Sequence, residues 1–337
     1  MRICLLTTQY LDADPFPEND WPCDPRPFVP DAAWHVATLE KKTSIRDVTR
    51  LIGEGFDVFF NLCDGAADQD VPGIEVVQTL EAHGVPFTGA TSEYYEPTRE
   101  EMKQACRLEG IATPASVFAR DAVDVERAAE TLRFPLFVKH YSSYASVDLS
   151  RHSRVRTPAG LRRQARKIMS RHGAALIEEY IEGDECTVLV AENPDDPGRP
   201  VTYTPMQYRF PEKESFKHSN LKWVDYDQLT SFPVTDPVLE ARLRHVSARF
   251  FVAIRGAGFG RCDIRVDRDG TPYMLEINPN CGVFYPPTDP GSADLCLAMD
   301  PAGHEGFARL LVRAALERHR RGNGDGVVPG MSLDGDD

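Results

Sequence analysis

The sequence predicts a fold built from α/β and α+β modules. Short apolar segments alternate with helical patterns along the chain, first in an N-terminal stretch and again from Pro97 onward. This rhythm is typical of layered folds in which helices cover a sheet. A length of 337 residues gives room for two or three modules with separate cores. We expect an N-terminal α/β domain, a central subdomain, a C-terminal subdomain and a disordered tail, over residues 1–96, 97–182, 183–321 and 322–337.

The composition and charge exclude several classes of protein. Acidic residues outnumber basic ones by 52 to 38, and the resulting net charge of −14 disfavours binding to a nucleic-acid backbone. No apolar run approaches the length of a membrane span, and residues 1–6 predict a first buried strand rather than a secretory signal. We therefore expect a cytoplasmic enzyme that has neither a nucleic acid nor a membrane as a partner.

The eight cysteines are scattered and never form a Cys-x-x-Cys pair. This spacing argues against a zinc site and against a secreted disulfide framework, so most of them should be small buried hydrophobic residues. Cys281 is an alternative nucleophile, but no histidine is placed near it in the sequence.

The N-terminal domain is predicted to contain two strands, a helix and a third strand, at 2–8, 34–39, 44 onward and 58–60. Ser44 and Asp47 have capping-box spacing at the start of the helix. The third strand ends in a polar turn over 61–65, and open α/β sheets place ligands at the carboxyl ends of their strands. The Pro-rich loop 10–30 carries five acids and is either a solvated surface loop or a lid and site for a substrate amine.

Helices and strands continue to alternate after Pro97. Helices are predicted over 99–109, from 124, and over 158–172, 238–255 and 304–320. Strands are predicted after residue 114 and over 134–139, 176–181 and 202–208. The polar and aromatic segment 209–230 is too long for an ordinary connection and is a candidate closing loop, whereas 284–292 is predicted to be a rigid loop.

Two of these segments could contact a nucleotide. Lys139 ends an apolar strand and precedes a small polar loop, where a cation and backbone amides would suit phosphate oxygens. That loop lacks the glycines that allow close approach of the backbone, so a solvated lysine is the alternative. The strand and turn over 176–185 place carboxylates beside apolar residues, and could recognise adenine or form an edge strand.

A hairpin over residues 261–282 carries the strongest chemical signal. Asp269-Gly270 favours a two-residue type I′ turn between two strands of alternating polarity. Counting outward from this turn, the predicted opposed pairs are Asp263 with Glu276 and Arg261 with Asn278. Opposed carboxylates repel unless a cation compensates them, and carboxylate and amide oxygens suit Mg²⁺. The alternative is an ordinary hairpin with one solvated charged face.

In this order, the motifs resemble the ATP-grasp superfamily, and most closely its D-alanine–D-alanine ligase-like group. The resemblance covers roughly residues 56–318 and rests on segments in family order, namely 61–65 followed by 84–89, then 110–114, 134–139, 177–185, 216–223 and 261–282. It implies an ATP-grasp fold with an N-terminal α/β (pre-ATP-grasp) domain. ATP would lie between the central and C-terminal subdomains.

The resemblance also implies the residues that bind the nucleotide. Phosphate contacts are implied for Arg99, Lys139 and Ser146, of which Ser146 belongs to a loop that covers the phosphates. The adenine-edge segment matches Glu178, Glu179 and Ile181, and the ribose-binding acid matches Glu185.

The remaining implied residues concern the metal and the substrates. Ligands to Mg²⁺, or to Mn²⁺, match Asp263, Glu276 and Asn278. The implied catalytic residues are Lys222, on a mobile loop that folds over the γ-phosphate, and Arg261, which would stabilise charge on the reacting carboxyl group. Substrate contacts are assigned to Gly282 and Ser292.

The sequence departs from the family pattern at several positions. Arg99 stands where the family has a lysine, and it can still bind phosphate with a wider fork. Tyr144 and Asp148 replace loop glycines, and Pro279-Asn280-Cys281 replaces the usual small-residue-Pro pair. The first-domain signature that recognises the first D-alanine is absent from residues 7–31. The identity of the substrate should therefore not be copied from the family.

By resemblance, the expected activity is that of an ATP-dependent carboxylate–amine ligase. It would form an amide bond between a small carboxylate and an amine through an acyl phosphate, with release of ADP and phosphate. The altered first domain favours a specialised biosynthetic ligase, and D-alanine–D-alanine ligation in cell-wall synthesis is the alternative. A nucleotide-binding protein that has lost catalysis is a further alternative. A homodimer is the usual state among relatives.

Overall fold

Three separate sheets organise the described part of the chain. The computed structural model describes residues 1–11, 22–66, 69–142, 149–211, 216 and 229–324. One sheet is parallel and two are antiparallel, which confirms the expected mixture of α/β and α+β modules. In the described part of the chain, no helix is both long and apolar enough to cross a membrane.

The N-terminal sheet is parallel, with strand order β2-β1-β3. Its strands are β1 (Arg2–Thr7), β2 (Ala33–Thr38) and β3 (Val58–Asn61), and its helices are α1 (Ser44–Ile52) and α2 (Ile74–Ala82). Helix α2 was not predicted. The predicted capping box of α1 is wrong, because Thr43 is the N-cap residue and Ser44 is buried. The hydroxyl of Ser44 instead hydrogen-bonds the Lys41 carbonyl and the Glu75 carboxylate, at 3.1 and 3.0 Å.

The central sheet is antiparallel, with strand order β4-β7-β5-β6. Its strands are β4 (Ser116–Ala119), β5 (Leu136–His140), β6 (Arg154–Val155) and β7 (Ala175–Glu179). Helices α4 (Ala122–Thr131) and α5 (Pro158–His172) pack on this sheet, whereas the preceding helix α3 (Arg99–Leu108) buries its apolar side chains in a core outside it. Thr98 and Glu101 form a capping box that starts α3, because each satisfies a backbone N–H of the other.

The C-terminal sheet is antiparallel, with order β11-β10-β8-β12-β13 and β9 beside β8. Its strands are β8 (Gly183–Ala191), β9 (Val201–Thr202), β10 (Met206–Arg209), β11 (Thr230–Pro233), β12 (Phe259–Asp267) and β13 (Pro272–Pro279). The helices are α6 (Pro237–Ala253), α7 (Ser292–Ala298) and α8 (Gly303–Gly324).

Three sequence expectations change in this part of the chain. The single strand predicted over 202–208 is divided between β9 and β10. The predicted loop 284–292 ends where α7, an unpredicted helix, begins at Ser292. Helix α8 continues to Gly324, so residues 322–324 are helical rather than part of a disordered tail. Residues 325–337 lie outside the described part, and the module boundaries stay a prediction.

The buried apolar side chains form three cores. The first two are each shared by the N-terminal and C-terminal sheets: one contains Leu6 and Phe250, and the other contains Leu5 and Phe307. The third core lies entirely within residues 117–177 and belongs to the central sheet. The outer two modules therefore pack on each other, and the central sheet buries its apolar side chains separately.

Candidate active site

A cavity of about 730 Å³ is lined by strands of the central and C-terminal sheets and by N-terminal loops. Every predicted site residue in the described part of the chain lines it, namely Arg99, Lys139, Glu178, Glu179, Ile181, Glu185, Arg261, Asp263, Glu276, Asn278, Gly282 and Ser292. The fold thus gathers residues that are widely separated in sequence. Ser146 and Lys222 lie outside the described residues, as do four of the acids in the loop 10–30.

The hairpin of β12 and β13 opposes the residues that the sequence predicted. Asp263 pairs with Glu276, and Arg261 pairs with Asn278. The turn, however, is longer than the predicted two residues. The backbone N–H of Asp267 donates to the carbonyl of Thr271 at 3.1 Å, which leaves three residues in the loop. Gly270 occupies this loop with a φ of 75°, a conformation that favours glycine.

A β-bulge offsets the longer turn. Ile264 pairs with Met274 while Asp263 pairs with Glu276, so Leu275 is an additional residue on β13. Met274 is buried, whereas both Leu275 and Glu276 line the cavity. Strict alternation would have put Leu275 on the face opposite to Glu276. The bulge therefore presents an apolar and an acidic side chain to the cavity in succession.

Arginines neutralise both carboxylates of the predicted metal site. The Arg261 guanidinium donates to Asp263 through Nε and Nη2, at 3.0 and 2.9 Å. Burial would lower the pKa of Arg261, but Asp263 raises it well above its usual value. The Arg99 guanidinium donates to the carboxylate of Glu276. Both carboxylates thus carry a cationic partner, as two opposed acids in a partly buried site require.

The chemistry of these residues fits a hard divalent cation. Asp263 also accepts hydrogen bonds from Thr187 Oγ1 and from Asn278 Nδ2, each at 3.0 Å, which fix its orientation. Two carboxylates and an amide on neighbouring strands, without a sulfur or imidazole ligand, are the donor set that Mg²⁺ and Mn²⁺ accept. Among the described residues, no group of three or more His, Cys, Asp and Glu side chains could hold a metal, and the third candidate ligand at this hairpin is the amide of Asn278.

A buried carboxylate links two lysines next to this site. Glu178 on β7 lies 2.6 Å from Nζ of Lys139 and 2.5 Å from Nζ of Lys103. Burial would raise the pKa of Glu178, but the two lysines outweigh it and lower the pKa to about 2. Burial, together with Arg99, lowers the pKa of Lys139 although Glu178 opposes this shift. Lys103 was missed by the sequence analysis, although it follows Arg99 by one helical turn.

Aromatic side chains form the far wall of the cavity. Phe216 packs edge-on against Phe137, with ring centroids 4.8 Å apart, and Tyr180 lies 6.3 Å from Phe216. Next to them, the carboxylate of Glu179 accepts hydrogen bonds from the backbone N–H and guanidinium of Arg133, at 2.9 and 2.8 Å. A flat apolar slot edged by polar groups is the environment that a nucleotide base needs.

Arg265 anchors the predicted base and ribose segments. Its guanidinium donates to the carbonyls of Ile181 and Gly183, both at 2.7 Å, and to the carboxylate of Glu185 at 3.2 Å. It also lies over the ring of Tyr180, 4.7 Å from the centroid. Arg265 follows Arg261 and Asp263 at a spacing of two along β12, so the alternation of the strand could have revealed it.

Several acidic side chains from outside the two antiparallel sheets also line the cavity. Asp64 and Glu96 from the N-terminal half and Asp289 from the loop before α7 line it, together with Tyr285. Burial raises the pKa of Asp64 to about 6. Cys281 is also in the cavity wall, but burial raises the pKa of its thiol to about 12, which argues against its role as a nucleophile.

Ser292 and Gly282 lie near the carboxyl-binding candidate Arg261 in the same cavity. Ser292, the first residue of α7, lies close to the buried Tyr208. A Cβ atom at Gly282 would lie only 2.2 Å from the hydroxyl of Tyr285, so a larger residue there would displace this ring. Their roles in substrate binding stay predictions.

The sequence matches a known family over more than half of its length. The family described as D-ala D-ala ligase C-terminus matches residues 111–285. A D-alanine–D-alanine ligase from Xanthomonas axonopodis pv. citri is 30% identical over 241 residues, which are 69% of this chain and 71% of that protein. An uncharacterized protein from Sinorhizobium fredii, y4sG, is 30% identical over 303 residues, which are 87% of this chain and 82% of its own length.

Solved structures share the fold at lower identity. The D-alanine–D-alanine ligase of Bacillus anthracis, crystallised with ATP, has a TM-score of 0.66 and 17% identity, and covers 96% of this chain and 99% of its own. The ligase of Coxiella burnetii has a TM-score of 0.67 and 14% identity, with 96% of both chains covered. These similarities confirm the expected ATP-grasp fold with its N-terminal α/β domain. With the family match, they lead to the conclusion that this chain belongs to the D-alanine–D-alanine ligase family of ATP-grasp enzymes, which form carbon–nitrogen bonds.

Proposed function

We propose that the protein joins a small carboxylate to an amine at the expense of ATP, through an acyl phosphate. One observation carries this proposal: Lys139, Arg99 and Arg261 line the same cavity as the opposed carboxylates of Asp263 and Glu276. Phosphoryl transfer depends mainly on positioning and on electrostatic stabilisation, and this arrangement provides both. In the reaction, the carboxylate oxygen attacks the γ-phosphorus and ADP leaves; the amine then displaces phosphate and forms the amide.

The nucleotide would lie along the wall formed by the central sheet. We assign the base to the apolar surface that Phe137, Tyr180 and Phe216 form in the cavity, with Ile181 and Glu179 at its edge and Glu185 near the ribose. The phosphates would then extend toward Lys139 and Arg99. Both side chains are largely buried, and each forms an ion pair, Lys139 with Glu178 and Arg99 with Glu276. From the sequence, we also propose that Ser146, in the loop after Lys139, and Lys222, in the segment 209–230, cover the phosphates.

The residues proposed for the metal and for the carboxyl substrate lie in the part of β12 and β13 that is farther from the turn. Asp263, Glu276 and Asn278 would hold Mg²⁺ or Mn²⁺, which when bound supplies Lewis-acid stabilisation to the transferring phosphoryl group. Arg261 would stabilise the negative charge that develops on the reacting carboxyl group. It is held in place by two hydrogen bonds to Asp263.

For the substrates, we propose an amino acid or another small carboxylate of a specialised biosynthetic pathway. The acidic side chains of Asp64, Glu96 and Asp289 in the cavity lining support an amine as one of the substrates. D-alanine is a second candidate for both substrates, because several of the relatives that match this chain are named D-alanine–D-alanine ligases. A homodimer and a cytoplasmic location belong to the same proposal, and light scattering coupled to size-exclusion chromatography tests the dimer.

The test is turnover by the purified protein with ATP and Mg²⁺. We expect ADP release that requires both a carboxylate and an amine from a panel of amino acids and small acids, including D-alanine, with an amide product identified by mass spectrometry. Asp263→Asn and Glu276→Gln should each lower the turnover rate by about 10²-fold or more, because each removes a charged ligand that stabilises the transferring phosphoryl group.

The control is Asp195→Asn, which removes an exposed carboxylate paired with Arg313 on the surface. Its turnover should equal that of the wild type. Wild-type rates in both site variants would refute the assignment of the metal ligands, and ATP binding without ADP release across the whole panel would favour a protein that has lost catalysis.

A further inference from the structure

A buried lysine of α3 lies behind the wall of the cavity. Only 2% of the surface of Lys103 is exposed, and the residue does not itself line the cavity. Besides its contact with Glu178, its ammonium group donates to Thr113 Oγ1 and to the carbonyl of Pro114, both at 3.2 Å. The hydroxyl of Thr113 donates to the carbonyl of Met274 on β13, at 2.9 Å. Lys103 therefore connects α3 to the central sheet and, through Thr113, to the hairpin of β12 and β13.

The two lysines carry more positive charge than is needed to neutralise Glu178. This carboxylate bears one negative charge, and the ammonium groups of Lys103 and Lys139 lie 2.5 and 2.6 Å from its two oxygens. A buried carboxylate must keep at least one cationic partner, because an uncompensated buried charge is strongly unfavourable. If Lys103 were absent, Lys139 would have to stay on Glu178. With Lys103 in place, Lys139 is able to leave.

We propose that Lys103 is a positioning residue for ATP binding: it neutralises Glu178 from behind, so that Lys139 can exchange this carboxylate for phosphate oxygens. The inference rests on the proposed function, because it takes Lys139 to be the phosphate-binding lysine. It also changes the role of Glu178, which becomes the counter-ion of the two lysines rather than part of the adenine edge. Arg99, one helical turn before Lys103, places a second cation from α3 on Glu276.

Calorimetric titration of Lys103→Met with ATP and with adenosine tests this role. Methionine keeps the length of the side chain but removes its charge, so Lys139 has to remain on Glu178. We expect the dissociation constant of ATP to rise by about tenfold or more, the loss expected for one charge-assisted contact. Adenosine lacks phosphates, and its affinity should be unchanged. An equal loss of affinity for ATP and adenosine would indicate a merely structural role and would overturn the proposal.

A second variant keeps the test valid if Lys103→Met is poorly stable. In Lys103→Met/Glu178→Gln, the neutral amide needs no counter-ion and Lys139 is released, so ATP affinity should return to within about threefold of the wild type. A double variant that binds ATP as weakly as the single variant would contradict the proposal. Lys41→Met is the matched control, since it breaks an ion pair of 2.7 Å with Glu75 in the N-terminal domain and should leave both affinities unchanged.

The outcomes separate this inference from the proposed function. If the wild type does not bind ATP, both fail together. If the wild type binds ATP and Lys103→Met binds it equally well, only the role of Lys103 is refuted.

Discussion

At the scale of single residues, Glu178 combines deep burial with a permanent charge. Its pKa is lowered to about 2 from an ordinary value of 4.5, because Lys103 and Lys139 together outweigh the effect of burial. A carboxyl group with a lowered pKa stabilises the folded state above its unfolded pKa, and this contribution is lost as the pH falls toward the folded pKa. Glu178 therefore stabilises the protein above pH 4.5 and ceases to do so between pH 4.5 and about 2.

We predict that Glu178→Gln weakens the dependence of the free energy of unfolding on pH in the acid range. The wild type should lose about 3 kcal/mol more of its free energy of unfolding between pH 4.5 and 2 than the variant does. Urea denaturation over a series of pH values measures this difference. Glu305→Gln, which changes an exposed carboxylate, should follow the wild type. Parallel profiles for Glu178→Gln and the wild type would show that the lysines do not hold this carboxylate charged.

The sequence predicted the charged residues of the hairpin better than the lysine and the aromatic rings that surround the cavity. Arg261, Asp263, Glu276 and Asn278 could be placed together because they lie on two strands that one short turn joins. The contact of Lys103 with Glu178 could not, because α3 and β7 are distant in the chain and only the packed fold brings them to 2.5 Å. The aromatic slot was missed for the same reason: its rings come from three separate segments.

At the scale of secondary-structure elements, α3 has an importance beyond its length. Its first turn carries Arg99, and Thr98 caps it by accepting a hydrogen bond from the backbone N–H of Glu101 at 3.2 Å. Helix α4 begins in a comparable way, with Asp121 accepting from the N–H of Asp124 at 3.0 Å. Both side chains accept from the backbone N–H three residues later, but α4 carries none of the proposed site residues.

We predict that Thr98→Ala and Asp121→Ala each lower the free energy of unfolding by about 1 kcal/mol, because each loses one helix cap. Only Thr98→Ala should also weaken ATP binding, since fraying of the first turn of α3 displaces Arg99 from Glu276. Denaturation curves and calorimetric titration of both variants measure the two effects. Equal ATP affinities in the two variants would mean that the start of α3 does not position the site.

The opposed pairs of the hairpin were predicted correctly only because two deviations from the predicted geometry cancel. The sequence indicated a two-residue turn, the structure has a longer one, and the bulge at Leu275 restores the opposition of Asp263 and Glu276. Two deviations of one residue thus cancel. The sequence contains no local signal for the bulge, because Leu275 fits the alternating pattern and its exposure to the cavity depends on the neighbouring sheet.

At the scale of the whole molecule, the separate core of the central sheet predicts independent unfolding. That core lies within residues 117–177 and shares no buried apolar side chain with the other two. Without nucleotide, we expect scanning calorimetry to give a ratio of van't Hoff to calorimetric enthalpy clearly below about one. A non-hydrolysable ATP analogue, which would bridge the central and C-terminal sheets, should raise the ratio. A ratio of about one in the absence of nucleotide would refute this prediction.

The overall architecture was accessible from the sequence, but the distribution of its cores was not. Alternating strands and helices predicted the modules, and the order of motifs predicted the ATP-grasp fold. That the N-terminal strands pack against β8, β12 and α8 depends on contacts across the whole chain, such as Leu5 with the core of Phe307, and no local pattern encodes them.

The distribution of the cores also constrains how the chain can fold during its synthesis. The central sheet can complete its core as soon as residues 117–177 have emerged. Strand β1 emerges before this sheet, yet the core that contains Leu5 is completed only when residues as late as Phe307 are available. This face of β1 therefore exposes apolar surface for longer than the central sheet does, and it is where a chaperone would bind and where aggregation would begin.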